Sequence, residues 1–315
     1  MQIVVLTGGI GGARFLLGVR AWAAAHAAEV TAVVNTGDDA TLHGLRICPD
    51  LDSVMYTLGG GADPSRGWGR ADETWTVKEE LAAYGAEPTW FGLGDRDVAT
   101  HLVRTRMLGA GYPLSAVTEA LCARWQPGVR LLPATDDRVE THVVCDGKAL
   151  HFQEWWVRHR GALPAQRFVF VGAEDAKPAP GVLDAIGGAD LVLLAPSNPV
   201  VSIAPILAVP GIRDALAGGP AKVVGLSPIV GGAPVRGMAD KCLPAYGVEV
   251  SAAGVGALYG ARTGEGLLDG WLVDTADAGT EVAGVEVRAR PLLMTSQDET
   301  AAMVADALTL AGLTP

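Results

Sequence analysis

A mainly parallel α/β sheet flanked by helices is the fold this sequence predicts, on three observations. Residues 2–7 (QIVVLT) form an unbroken apolar run, the mark of a strand buried on both faces. A glycine-rich turn, Gly8-Gly9-Ile10-Gly11-Gly12, follows at once and leads through Ala13 and Arg14 into an Ala-rich helical stretch. Residues 30–34 (VTAVV) supply a second buried strand and complete a βαβ unit, which requires parallel strands. The expected architecture is Rossmann-like, with a smaller inserted or appended subdomain.

The remaining elements follow in order. Residues 97–110, 115–125 and 298–312 read as helices, and 168–171 (FVFV), 190–194 (DLVLL) and 222–226 (KVVGL) as further buried strands. The region 126–160 differs. Its short alternating runs 139–145 (VETHVVC) and 149–153 (ALHFQ) flank Asp146-Gly147, a strong hairpin signal. The clusters 176–181 and 217–220 are loops rather than long linkers, so residues 1–315 read as one domain carrying that hairpin-containing region.

Composition bounds the function. Hydrophobic residues make up 49% and charged residues 19%, which excludes global disorder, while aromatics at 6% leave a core of Ala, Val and Leu. The net charge of −11 speaks against nucleic acid or an anionic membrane as partner, yet allows a small anionic ligand in a local pocket. Cys48, Cys122, Cys145 and Cys242 are scattered with no C-x-x-C pair, so they read as reduced thiols rather than disulfides or a zinc site. No basic leader is visible and no apolar run reaches the ~18 residues of a membrane span, so a cytoplasmic protein is expected.

Four constellations carry the chemistry. Backbone N–H groups at a helix N-terminus bind phosphate, and Gly8, Gly9, Gly11 and Gly12 let a ligand approach, with Arg14 able to add charge. No Lys follows as in a P-loop, Arg14 stands where a dinucleotide fingerprint needs a small residue, and Asn35 replaces its acidic residue. The cradle is thus not of the usual nicotinamide type, and a purely geometric role for the glycines stays open. Secondly, Asp38 and Asp39 follow the second strand, and Asp50 and Asp52 come shortly after. Carboxylates at strand carboxyl ends suit Mg²⁺ or Ca²⁺, although Asp50 and Asp52 could instead cap a helix over 53–58. Thirdly, Asp95, Arg96 and Asp97 open a helix with His101 one turn on, either as a local cap with an ion pair or along a ligand's polar edge. Fourthly, Ser197, Asn198 and Pro199 follow a buried strand, and Ser227 to Gly232 follow the next in the same style. No nucleophile elbow surrounds Ser197.

Taken in order, GGIGGARFLLG, VVNTGDD, CPDLD, GDRDVATH, HFQEWW, APSNPVVSI and GLSPIVGG resemble the 2-phospho-L-lactate transferase family of deazaflavin coenzyme (F-420) biosynthesis, over about residues 2–312. The likeness is greatest to its actinobacterial, phosphoenolpyruvate-transferring branch. The resemblance implies transfer of a phosphoenolpyruvyl or 2-phospholactyl group from a guanosine-diphospho donor to the ribityl hydroxyl of the deazaflavin Fo. GMP leaves, Mg²⁺ is required and homodimers are usual. It also implies that Asp52, the best match to the family's deazaflavin-binding Asp, and Asp38 act in catalysis. Metal falls to Asp38, Asp39 and Asp52. Ligand contacts fall to Gly8, Gly9, Gly11, Gly12, Arg14, Asn35, Asp50, Asp95, Arg96, Ser197, Asn198 and Pro199. Trp68 and Trp155 could stack on a flat ring or simply pack. On this reading Asp52→Ala abolishes transfer and leaves the fold intact.

Two other classes compete. A non-catalytic nucleotide-sugar-binding regulator of the gluconeogenesis-factor type shares the glycine turn and the paired Asp, but CPDLD, GDRDVATH and HFQEWW belong with the transferases. A nicotinamide-dependent oxidoreductase lacks support from Asn35 and from the absent third glycine.

Overall fold

The computed structural model describes residues 1–314. The chain opens with β1 (Gln2–Thr7), α1 (Gly9–Ala25) and β2 (Glu29–Val34), then a small hairpin, β3 (Ala40–Leu42) and β4 (Leu45–Ile47). Four helices follow: α2 (Pro49–Leu58), α3 (Thr76–Ala83), α4 (Asp95–Gly109) and α5 (Leu114–Trp125). Next come β5 (Arg130–Pro133), β6 (Glu140–Cys145), β7 (Lys148–His151), β8 (Arg167–Val171), α6 (Val182–Gly187) and β9 (Leu191–Leu194). The C-terminal part holds α7 (Ala204–Leu207), α8 (Ile212–Gly218), β10 (Lys222–Leu226), β11 (Ile229–Val230), β12 (Ala233–Pro234), α9 (Ala239–Cys242) and α10 (Ala252–Tyr259). It closes with β13 (Gly270–Val273), β14 (Glu286–Ala289) and α11 (Gln297–Leu310).

Seven strands form one parallel sheet in the order β14-β13-β10-β9-β1-β2-β5. From β1 the chain winds outward through β2 and β5, then returns to β9 on the other side of β1 and winds the opposite way. This is the doubly wound order, and its switch point lies between β1 and β9, where the loops diverge and leave a crevice at the strand carboxyl ends. The apolar run of β1 has the expected cause. Ile3 and Val5 join the core with Phe15, Leu16 and Leu308, whereas Val4 and Leu6 join the opposite core with Ile203 and Trp271. Register brings three strands to a common level, since Thr7 pairs with Val34 and Leu6 with Leu194.

The Asp146-Gly147 hairpin forms as expected. Both residues have positive φ (+48° and +72°) and Cys145 faces Lys148 across a two-residue turn. The strand 168–171 is a correction. It leaves the parallel sheet and pairs antiparallel with β6, giving a separate sheet β7-β6-β8. Its residues are covered on one side only, with Val171 51% exposed, so an apolar run of four did not imply two buried faces. This small sheet docks on the crevice, where the Thr141 amide donates to Gly37 O at 2.6 Å and His151 Nε2 lies 3.1 Å from Asp39 O. Among the described residues no single helix is long and apolar enough to cross a membrane.

Candidate active site

Three strand ends build the site. Beyond β1, Gly8 leads into α1, whose first turn contains no acidic side chain and whose cap has no side-chain hydrogen bond. The amides of Gly9, Ile10 and Gly11 therefore begin a helix N-terminus at the switch point, where the helix dipole favours an anion. A Cβ on Gly8 would collide with the Asp50 carboxylate and come within 2.8 Å of Ser202 Cβ, and one on Gly12 would collide with Thr7 Oγ1 and the Ser197 hydroxyl. These two glycines are required by the protein's own packing, whereas a Cβ on Gly9 would meet nothing closer than 3.8 Å and one on Gly11 would sit 3.2 Å from Pro196 O. Arg14 lies exposed one turn further on.

Beyond β2, Asn35 is the hub. Its backbone amide donates to Thr7 O at 2.9 Å, and its Oδ1 accepts from the Gly37 amide at 2.8 Å. Its Nδ2 points at three acceptors: Asp50 Oδ2 (2.9 Å), Val201 O (3.1 Å) and Asp38 Oδ1 (3.3 Å). Asp38 and Asp50 are both buried and share this one amide, with no Lys or Arg among the described residues in an ion pair to either. Burial, then the Asp50 charge, raises Asp38 well above the usual carboxylate range against the pull of Asn35. Burial likewise raises Asp50 to about 6, opposed by Asn35 and the Gly9 amide. An ionised pair held this way lacks a counter-charge.

Asp39 and Asp52 stand beside this pair in a different setting. Asp39 Oδ2 accepts from Arg46 Nη2 at 3.1 Å and from Cys48 Sγ at 3.0 Å, and burial still lifts Asp39 to about 7. Asp52 Oδ1 is ion-paired with the fully buried Arg104, and His101 Nδ1 lies 3.7 Å from Asp52 Oδ2. Behind them, Arg104 Nη1 lies 2.9 Å from His101 Nδ1, His101 Nε2 lies 3.4 Å from Asp97, and Tyr56 donates to Asp97 at 2.7 Å. Burial disfavours the Asp97 charge, but the His101 and Tyr56 bonds hold its carboxyl below the usual range. Asp39 Oδ1 and Asp52 Oδ2 are buried acceptors without a partner among the described residues.

This network corrects the expectation that Asp52→Ala leaves the fold intact. That change strands the Arg104 guanidinium in the interior without its counter-ion. Asp50 and Asp52 do lie in the first turn of α2, but neither caps it by a side-chain hydrogen bond, because Asp50 turns to Asn35 and Asp52 to Arg104.

Beyond β9, the Ser197 hydroxyl donates to Gly8 O at 2.8 Å and accepts from the Gly8 amide at 3.3 Å, tying the two sides of the switch point together. Asn198 Oδ1 caps the wide turn Pro199–Ile203 by accepting from the Val200 and Val201 amides, and Pro199 is buried at its start. Asp95 and Arg96 are not brought to the strand ends. Asp95 takes hydrogen bonds from Thr74 Oγ1 and from the Thr76 and Val77 amides, fastening the start of α3 to α4. Arg96 is half-exposed, 3.8 Å from the exposed Asp72. Trp155 is a core residue whose indole donates to Leu163 O, whereas Trp68 is 45% exposed beside Arg66 and Trp75. Arg46 and Arg104 were missed in the sequence. The spacing of Asp97, His101 and Arg104 at i, i+4 and i+7 puts all three on one helical face and was the available signal.

The metal expectation can be tested on the donor set. Mg²⁺ binds through one or two carboxylates plus waters and substrate phosphates rather than in an all-protein cage. The described residues contain no cluster of three or more His, Cys, Asp or Glu suited to a metal. Of the expected set Asp38, Asp39 and Asp52, Asp39 and Asp52 are already paired with Arg46 and Arg104, so it is Asp38 with Asp50, beside a phosphate-ready helix N-terminus, that fits a phosphate-sharing ion.

A doubly wound α/β body with an anion-ready helix end and an acidic pair at its switch point is the arrangement of a phosphate-handling enzyme. The chain belongs to the 2-phospho-L-lactate transferase CofD family, whose profile matches residues 3–305, and so is a transferase. It is 66% identical to a phosphoenolpyruvate transferase of Streptomyces griseus, the match covering 99% of this chain and 98% of the relative. It is 62% identical to the protein of that name from Mycolicibacterium smegmatis, with 99% of each chain covered. A Bacillus halodurans protein, BH3568, shares the fold alone, with a TM-score of 0.63 at 18% identity over 98% of this chain and 99% of that one.

Proposed function

We propose that the protein transfers a phosphoenolpyruvyl group from a guanosine-diphospho donor to the ribityl hydroxyl of Fo, releasing GMP. The observation that carries this reading is the buried Asp38 and Asp50 pair, without a counter-charge, facing the helix N-terminus at the switch point. It draws support from the phosphoenolpyruvate transferases that this chain resembles over its whole length.

The amides of Gly9 to Gly11 hold the donor diphosphate, which lets an acidic protein bind a strongly anionic substrate. Asp38 and Asp50 would hold Mg²⁺, which when bound neutralises charge on the phosphate oxygens. Asn35 fixes the spacing of the two carboxylates. We assign to Asp52 the orientation of the acceptor hydroxyl, because Arg104 clamps Oδ1 and leaves Oδ2 without a partner. In the transfer the hydroxyl oxygen bonds to the distal phosphorus, the bridging oxygen leaves with GMP, and the hydroxyl proton passes to a carboxylate or to solvent. Such a displacement depends mainly on alignment and charge stabilisation.

The test is a transfer assay with purified protein, Fo, Mg²⁺ and the phosphoenolpyruvyl or the 2-phospholactyl donor in parallel, read by GMP release and product mass. Product from the phosphoenolpyruvyl donor is expected. Nucleotide binding with no product from either donor overturns the reading.

A further inference from the structure

We propose that Arg236 binds the carboxylate of the transferred group and closes the crevice from its rim. The inference rests on the transferase reading above and adds to it a residue outside every motif quoted for that reading.

The loop carrying Arg236 is anchored in the crevice at both ends. It leaves β10 through Ser227, whose hydroxyl bonds to Ile229, and turns through the hairpin β11–β12. It returns into α9, where Cys242 Sγ lies 3.6 Å from Asn198 Nδ2. Between these anchors Arg236 is exposed and makes no hydrogen bond or ion pair among the described residues. Its guanidinium instead lies against Gly67, where a Cβ would come within 2.9 Å of Nη1 and 3.0 Å of Cζ.

Gly67 belongs to the segment 62–70, closed by the Ala62–Arg70 bridge and stiffened by Arg66, which pairs with Asp63 at 2.9 Å and packs over Trp68 and Trp75. That segment follows α2, which packs on α1, while Arg236 follows β10 on the other side of the switch point. The contact therefore spans the crevice. Gly67 has φ +74°, so a glycine there meets both the backbone conformation and the room the guanidinium needs.

Charge selects the ligand group. The helix N-terminus takes the diphosphate, but the carboxylate of the transferred group still needs a cation, and the Asp38 and Asp50 side chains at the strand ends are acidic. A guanidinium binds carboxylate through two parallel N–H bonds, and an Arg with no partner at the rim is placed for that contact.

The experiment compares wild type, Arg236→Ala and Arg236→Lys. Steady-state kinetics are read at saturating Fo, and calorimetry measures affinity for the donor and for GDP, which lacks the carboxylate. Arg236→Ala is expected to raise donor KM and Kd about ten- to hundred-fold, with GDP affinity little changed and Arg236→Lys in between. An unchanged donor Kd overturns the proposal. An equal loss for GDP also overturns it, by assigning Arg236 to the diphosphate. If the wild type binds donor without transferring it, the transferase reading fails, while the donor and GDP affinities still decide the role of Arg236.

Discussion

Two pairs of aspartates lie within fifteen residues of sequence and live in opposite electrostatic settings. Asp38 and Asp50 share the amide of Asn35, face a helix N-terminus and have no cation among the described residues in an ion pair. Asp39 and Asp52, the next residue and the next but one, each meet a guanidinium, from Arg46 and Arg104. All four are buried. The difference shows that burial alone does not make a carboxylate functional. A buried acid with its own arginine is anchored to the framework, with at most one oxygen left for a ligand as at Asp52 Oδ2, whereas a buried acid pair without one awaits a charge from outside.

The sharpest way to break this comparison is to neutralise one member of each pair. Asp38→Asn is expected to lower transfer on the order of 10³-fold while leaving the metal-free protein at least as stable, since it removes a buried, repelled charge. A rate assay beside a urea melt reads both. Arg104→Met should act the other way round, costing about 3–5 kcal/mol of stability by leaving Asp52 unpaired. Adding Asp52→Leu should recover most of that loss, and a single mutant as stable as wild type would remove Arg104 from the framework. Next, Mg²⁺ at about a hundred times its Kd should add roughly 2.7 kcal/mol to the wild type. The gain should vanish in Asp38→Asn and persist in Asp39→Asn, as judged by melts with and without the ion.

The pH dependence sharpens the contrast further. Folding raises the Asp50 carboxyl to about 6, so between the ordinary carboxylate range and that value the folded protein keeps a proton that the unfolded chain has released. The stabilisation is complete at low pH and is lost as pH rises through about 6. The stability difference between metal-free wild type and Asp50→Asn should therefore move against wild type over that window, as read by urea titrations at stepped pH. Smallest of all, Ser197→Ala removes two hydrogen bonds to Gly8 and should cost about 1 kcal/mol, a loss measured by the same titrations.

The centre of the parallel sheet, β10-β9-β1-β2, was legible in the sequence because runs such as β1 must be apolar on both faces, and the Gly8 to Gly12 turn marked the start of α1, whereas the outer strands β5, β13 and β14 were not read. The Asp146-Gly147 hairpin was legible for an equally local reason. The strand 168–171 was not, since a four-residue apolar run does not report how many layers cover it. At the site, the sequence marked Asn35 as a departure from an acidic position and, through the resemblance, as a ligand contact, but not as the amide that joins both members of the cation-free pair. Arg46 and Arg104 escaped notice because an ion-pair partner from another element leaves no spacing around the aspartate it serves.

By itself the sequence determined the central strands and main helices, the family and the set of carboxylates near the strand ends, because apolar periodicity, turn chemistry and motif order are local properties of the chain. Only the tertiary structure decided which carboxylates are neutralised and which are not. That division depends on side chains brought together from β4, α4 and the turn after β9, and charge interactions act through space rather than along the chain.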